Sequence, residues 1–259
     1  MGTWEMPRKF IRIFMVGPES WKSLGILNPN AFSTSLKSSA MACADKLALV
    51  SYSTTIIQKA IDRDLEAFTK QINHSTDFKG FTPNPQKPVI AIYRNMSLQV
   101  GVQSFFITIK STLDIYSRIV SKAIVPKSNL FGFGKAPFRG KKIAGGTLLN
   151  FLERNTAKSC VENKKLIGIF LSHIDDWIGD VIKIRDDIVH TGQPSDLIEM
   201  CVPILKKPQE ITKDEIILPA IRGKGNILEY CQHVRRNIDS LLEETLTLLP
   251  GIDTKLLTL

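Results

Sequence analysis

Little in this chain points to metal or thiol chemistry. Its four cysteines, Cys43, Cys160, Cys201 and Cys231, are scattered, and no two stand as C-x-x-C. That spacing excludes a zinc knuckle or thioredoxin-type pair and suits free thiols in a reducing, cytoplasmic setting. No run approaches the about twenty uncharged apolar residues that a membrane-spanning helix needs. The longest candidate, residues 95–109, is interrupted by two glutamines and two serines. The opening stretch is broken by Arg12 and is too short for a signal-peptide core, so no membrane association is expected. Repeats and low-complexity tracts are lacking. The glycines around Gly140-Lys141-Lys142 do not form a phosphate-binding P-loop, which requires G-x-x-x-x-G-K-[ST] before a helix. Four histidines and four cysteines without local motifs order no Ser/His/Asp or Cys/His arrangement.

Positive charge is present in excess. The 259 residues carry a formal charge of +9, and 43% of them are hydrophobic, ample for a core. From Arg118 to Lys158 nine cations face a single anion, Glu153, so this segment alone holds +8. Such a balance favours polyanionic partners. Its densest part, Asn129–Gly146, reads as a loop with five glycines, three phenylalanines and the cations Lys135, Arg139, Lys141 and Lys142. Those four could follow an RNA backbone while Phe131, Phe133 and Phe138 stack on bases. A solvated loop pinned to the body by its phenylalanines is the competing reading.

Apolar periodicity predicts a mainly α fold, an up-and-down bundle of four or five helices, with room for a small β-hairpin near 200–221. Residues 1–34 read as an irregular N-terminal extension and 35–259 as the helical domain. A first helix starts at Ser33-Thr34-Ser35 and ends near His74. The segment 77–88, dense in Gly, Pro and Asn, is a loop. A second helix covers about Tyr93–Ala123, with Leu98, Val102, Phe105, Ile109, Leu113, Tyr116 and Val120 inward; Val89–Tyr93 is either a strand or the entry to that helix. Thr147–Asn155 is a short helical turn. Met200–Leu205 and Glu215–Ile221 are the hairpin candidates, and a last helix spans Asn226–Leu249.

One long helix is expected over Glu162–Gln193, closed by Gly192 and Pro194. Leu166, Phe170, Ile174, Trp177, Val181, Ile184 and Ile188 recur at steps of three and four, and Ile167, Leu171, Ile178, Ile182 and Val189 widen that face. Arg185 projects into this arc. A guanidinium there needs a partner, because an unpaired buried charge is very costly. It is either a structural arginine paired to a carboxylate in the bundle or part of a site for an anion. His173, Asp176, Asp180 and Asp187 share the other face, read as solvated surface in preference to a metal site.

Arg185-Asp186-Asp187-Ile188-Val189-His190 resembles the HEPN superfamily motif, an Arg with a polar neighbour and a His four to six residues on, closing a long bundle helix. The resemblance implies a metal-independent endoribonuclease without cofactor, working as a homodimer whose motif helices face each other. It implies RNA as substrate, a toxin or phage-defence role, and an antitoxin or regulatory protein as a further partner. Other members are catalytically silent modules that bind nucleotide, nucleic acid or a partner protein, and that alternative stays open. On the implied assignment His190 is the acid/base, Arg185 the phosphate clamp, and Asp186 orients one of them. The chemistry is consistent with the residue types: histidine titrates near neutrality, and arginine presents a fixed fork of donors to phosphate. In one branch a modified Tyr stands two residues after the motif His; here that position is Gly192, so that mode of control does not carry over.

Overall fold

The computed structural model describes residues 34–74, 90–93, 96–125, 127–155, 162–191, 197–198, 200–203, 212–221 and 223–249. Nearly all of the 1–34 extension, the 77–88 loop and the proposed stop at Gly192 and Pro194 lie outside them. The described chain is mainly helical, with small antiparallel strand pairings. The helices are α1 (Thr34–His74), α2 (Met96–Ile124), α3 (Gly146–Arg154), α4 (Glu162–His173), α5 (Gly179–Thr191) and α6 (Ile227–Leu246). The strands are β1 (Ile90–Tyr93), β2 (Ala136–Phe138), β3 (Lys141–Ile143), β4 (Leu197–Ile198), β5 (Met200–Pro203), β6 (Ala220–Ile221) and β7 (Gly225–Asn226).

The chain divides into two compact units. The first comprises 1–51, 105–186 and 234–259. Its core is built by the stripes that apolar spacing selects: Cys43 and Leu47 of α1, Phe105, Ile109, Leu113 and Tyr116 of α2, and Val234, Ile238 and Leu241 of α6, all buried. Tyr116 and Phe170 lie 6.5 Å apart between ring centroids, and Phe133 and Phe170 6.1 Å. The Tyr116 hydroxyl shares a hydrogen bond with Thr245 Oγ1, which also donates to the Leu241 carbonyl, so these buried hydroxyls are satisfied.

The run from Glu162 to Thr191 is continuously helical, as its period predicts, but not uniformly α. Ile174–Ile178 forms a π turn joining α4 to α5, with the Gly179 N–H bonded to the Ile174 carbonyl five residues back. A π turn inserts one residue into the 3.6-residue ladder. The first apolar row is buried throughout, but Val189, expected inward, is 51% exposed.

The basic glycine-rich segment contains a β-hairpin where only a loop was expected. β2 and β3 pair antiparallel, Ala136 with Ile143 and Phe138 with Lys141. Arg139 (φ 47) and Gly140 (φ 82) both take the left-handed region, as a two-residue turn compatible with strand twist requires.

The second unit comprises 52–104 and 187–233. Here Ser53 of α1 and Ser104 of α2 share a hydrogen bond at 3.2 Å, and Ile57, Ile61, Leu98 and Val102 are buried. Strands form around 200–221 as expected, with different partners from those the sequence suggests. Met200–Pro203 pairs with β1, and β6 pairs with β4 on one side and β7 on the other. Both extra partners are tertiary choices that no local pattern encodes. Asn226 caps α6, its Oδ1 accepting the Leu228 N–H at 2.8 Å.

Candidate functional site

Arg185 is neither sealed in the core nor free. Its side chain is 34% exposed, and Nη1 donates to Asp186 Oδ1 at 3.0 Å. Adjacent helical residues ordinarily diverge by about 100°, so this pairing requires the two side chains to bend toward each other. The carboxylate partner expected for an arginine on this face is thus its own neighbour. Arg185 Nε is buried and finds no hydrogen-bond partner among the described residues.

Asp186 has a second cation. Lys135 Nζ donates to its Oδ2 at 2.6 Å. The carboxylate therefore bridges an ammonium and a guanidinium, one on each oxygen. Partial burial raises the carboxyl's pKa, but the hydrogen bonds and charges of Lys135 and Arg185 outweigh that, and the net is below the ordinary carboxylate value.

Lys135 reaches this point because the segment before β2 is pinned. Asp114 Oδ1 accepts the Phe133 N–H at 2.7 Å, and Asp114 is itself gripped by Lys110 at 2.6 and 2.7 Å. Thr147 Oγ1 accepts the Gly134 N–H and donates to the Gly132 carbonyl, both at 2.9 Å. The Phe133 ring is buried over Gly145, whose φ is +71; a Cβ there would meet the ring at 2.3 Å. Asp114, Thr147 and Phe133 hold the site in place, and sequence reasoning missed their role. The only local sign was the density of glycines in 132–146.

The remaining basic residues behave differently from one another. Arg139 bonds Glu153 through Nε and Nη2, at 3.2 and 3.1 Å, and lies 5.0 Å from the Phe138 ring centroid. Lys141 and Lys142 are exposed. The expected surface of three stacking phenylalanines is reduced to one. Phe133 and Phe138 are buried and anchor the segment, while Phe131 is 86% exposed.

His190 occupies the last turn of α5 and is exposed. The cut between units falls after Asp186, so Arg185, Asp186 and Lys135 belong to the first unit and His190 to the second. The structure brings the first three together; His190 follows five residues on in the same helix.

His173, placed by simple periodicity on an outer face with Asp176, Asp180 and Asp187, is mostly covered. Its side chain is 12% exposed, its Nδ1 accepts the Trp177 indole N–H at 2.8 Å, and Nε2 lies 3.5 Å from Glu244. It serves the packing of the π turn. No group of three or more His, Cys, Asp or Glu among the described residues is placed to hold a metal ion. Burial pushes the thiols of Cys43 and Cys231 far above their ordinary values, which removes them as nucleophiles. No helix among the described residues is long and apolar enough to cross a membrane. No protein-family model, curated protein or solved structure matches this chain, so what the site can do rests on its own residues.

Proposed function

We propose that this chain is a metal-independent endoribonuclease of the HEPN type. The observation that carries the reading is that Arg185 and His190, spaced as the motif requires, both reach solvent from one helix, with the guanidinium held by Asp186. In this mechanism His190 takes the proton from a ribose 2′-hydroxyl, and the 2′-oxygen attacks the adjacent phosphorus. Arg185 offsets the charge gathering on the phosphoryl oxygens, where preorganised donors count most. The bond from phosphorus to the 5′-oxygen breaks, and that oxygen is protonated as it leaves. The products are a 2′,3′-cyclic phosphate and a 5′-hydroxyl. A homodimer would set two such motifs across one cleft, the second His190 serving as the acid. A toxin or phage-defence effector, restrained by an antitoxin or regulatory protein, fits this chemistry.

The test is incubation of the full-length protein with total RNA and a chelator, beside Arg185→Ala and His190→Ala. Chelator-resistant cleavage, lost by at least about a hundredfold in each variant in line with general acid–base contributions, is the expected result. Cleavage that persists in both variants would falsify the assignment. A second reading, a silent module that binds RNA or a nucleotide, is favoured by one feature: the bonded cluster consists of Lys135, Asp186 and Arg185, and His190 is not part of it. Binding without cleavage distinguishes it.

A further inference from the structure

Lys135 stands 51 residues from Asp186 in the chain, yet its ammonium lies 2.6 Å from that carboxylate. Arg185 holds the other oxygen at 3.0 Å. Two cations from separate segments thus converge on a two-oxygen anionic group. A phosphodiester presents the same feature, two charge-bearing oxygens on one centre, and takes the same donors.

We propose that Lys135 and Arg185 together form a binding site for a backbone phosphate of RNA, with Asp186 as the carboxylate that spaces and orients the two cations. This deepens the ribonuclease reading and rests on it for the identity of the ligand.

Three observations support it. Both cations are reachable, since the Lys135 side chain is 48% exposed and that of Arg185 34%. Arg185 holds Asp186 through one nitrogen only, Nη1, so that carboxylate does not engage the rest of its donor fork. Lys135 is not on a loose arm: the Phe133 and Gly134 amides flanking it in sequence are fixed by Asp114 and Thr147. Lys141 and Lys142 are also held, in β3 against β2, but are exposed and make no bond to the motif among the described residues, and Arg139 is engaged by Glu153 and lies near the Phe138 ring. Of the four basic residues in this segment, Lys135 alone joins the motif.

The experiment measures binding of a fluorescein-labelled, single-stranded 2′-O-methyl oligoribonucleotide, which cannot be cut because its 2′-oxygen is blocked. Fluorescence anisotropy is recorded with the full-length protein over a range of salt concentrations. The comparison set is wild type, Lys135→Met, Lys135→Arg, and Lys164→Met as an exposed lysine elsewhere on the chain. Melting by circular dichroism confirms that each variant is folded. Lys135→Met should weaken binding several-fold and reduce the slope of log K against log salt by about 0.7, the loss of one phosphate contact on a single strand. Lys135→Arg should restore both, and Lys164→Met should change neither. A folded Lys135→Met that matches wild type in affinity and slope overturns the proposal, as does failure of the wild-type protein to bind the oligonucleotide. The two readings fail separately. Lys135-dependent binding by a protein that never cuts RNA leaves this site standing and removes the nuclease. Cutting that is indifferent to Lys135 does the reverse.

Discussion

Replacing Gly145 by alanine should be far more damaging than the same change at Gly140, five residues earlier. Both glycines have positive φ, +71 and +82, so both variants incur the left-handed backbone cost of about 1–2 kcal/mol for an L-residue. The difference lies in what the new methyl group meets. At Gly140 there is nothing within 4 Å; at Gly145 three atoms of the Phe133 ring stand at 2.3–2.8 Å. The ring is 1% exposed and packs on Phe170, so it has little room to retreat. Overpacking of this kind costs about 1–3 kcal/mol more. Gly140→Ala should therefore lose about 1–2 kcal/mol and Gly145→Ala about 2–5 in total. Urea unfolding followed by far-ultraviolet circular dichroism reads this directly. At a typical slope of about 1–3 kcal/mol per molar, the two midpoints should separate by roughly 1 M. Equal midpoints would show that the Phe133 ring is not seated over Gly145, and the account of how Lys135 is positioned would lose its foundation.

Acid stability should respond to Asp186. Its carboxyl has a folded-state pKa below the ordinary value of 3.8, so its contribution is complete above that value and disappears as pH falls through the folded one. Asp186→Asn should flatten the acid limb of a plot of melting temperature against pH and change little of the curve's shape near neutrality; an unchanged acid limb would refute the bridging role. The neighbouring phenylalanines should differ sharply. Phe133→Ala removes a buried ring and should cost about 3–5 kcal/mol. Phe131→Ala, at a residue 86% exposed, should stay within about 0.5 kcal/mol in the same urea experiment. Comparable losses would mean the segment is anchored otherwise.

The long helices were legible because their apolar spacing is a strong and redundant signal. The stripe Leu98, Val102, Phe105, Ile109, Leu113, Tyr116 and Val120 is buried residue for residue, and α1 runs from Thr34 to His74 as its pattern implies. What was not legible has specific causes. Strands of three residues, such as Ala136–Phe138, are too short to show alternation. Their turn puts a non-glycine, Arg139, at positive φ, where the usual Asn-Gly or Asp-Gly signal is missing. Two positions on this helix depart from its period: His173, just before the π turn, is covered through Trp177 and Glu244, and Val189 in the last turn of α5 is exposed although Ile184 and Ile188 keep the expected phase. At the site, the sequence singled out Arg185, Asp186 and Lys135 for separate reasons. It could not show that the last two touch, because a contact over 51 positions depends on the whole intervening fold.

That separation bears on the order in which the three charged groups could come together as the chain folds. A helix carrying Arg185 and His190 can form from local contacts alone, within microseconds. Lys135 arrives only once Asp114, Thr147 and the hairpin have closed around Phe133, a non-local and therefore later event. A chain refolding from the fully unfolded state would thus form the Arg185–Asp186 pair, between neighbours, before Lys135 docks on it from 51 residues away.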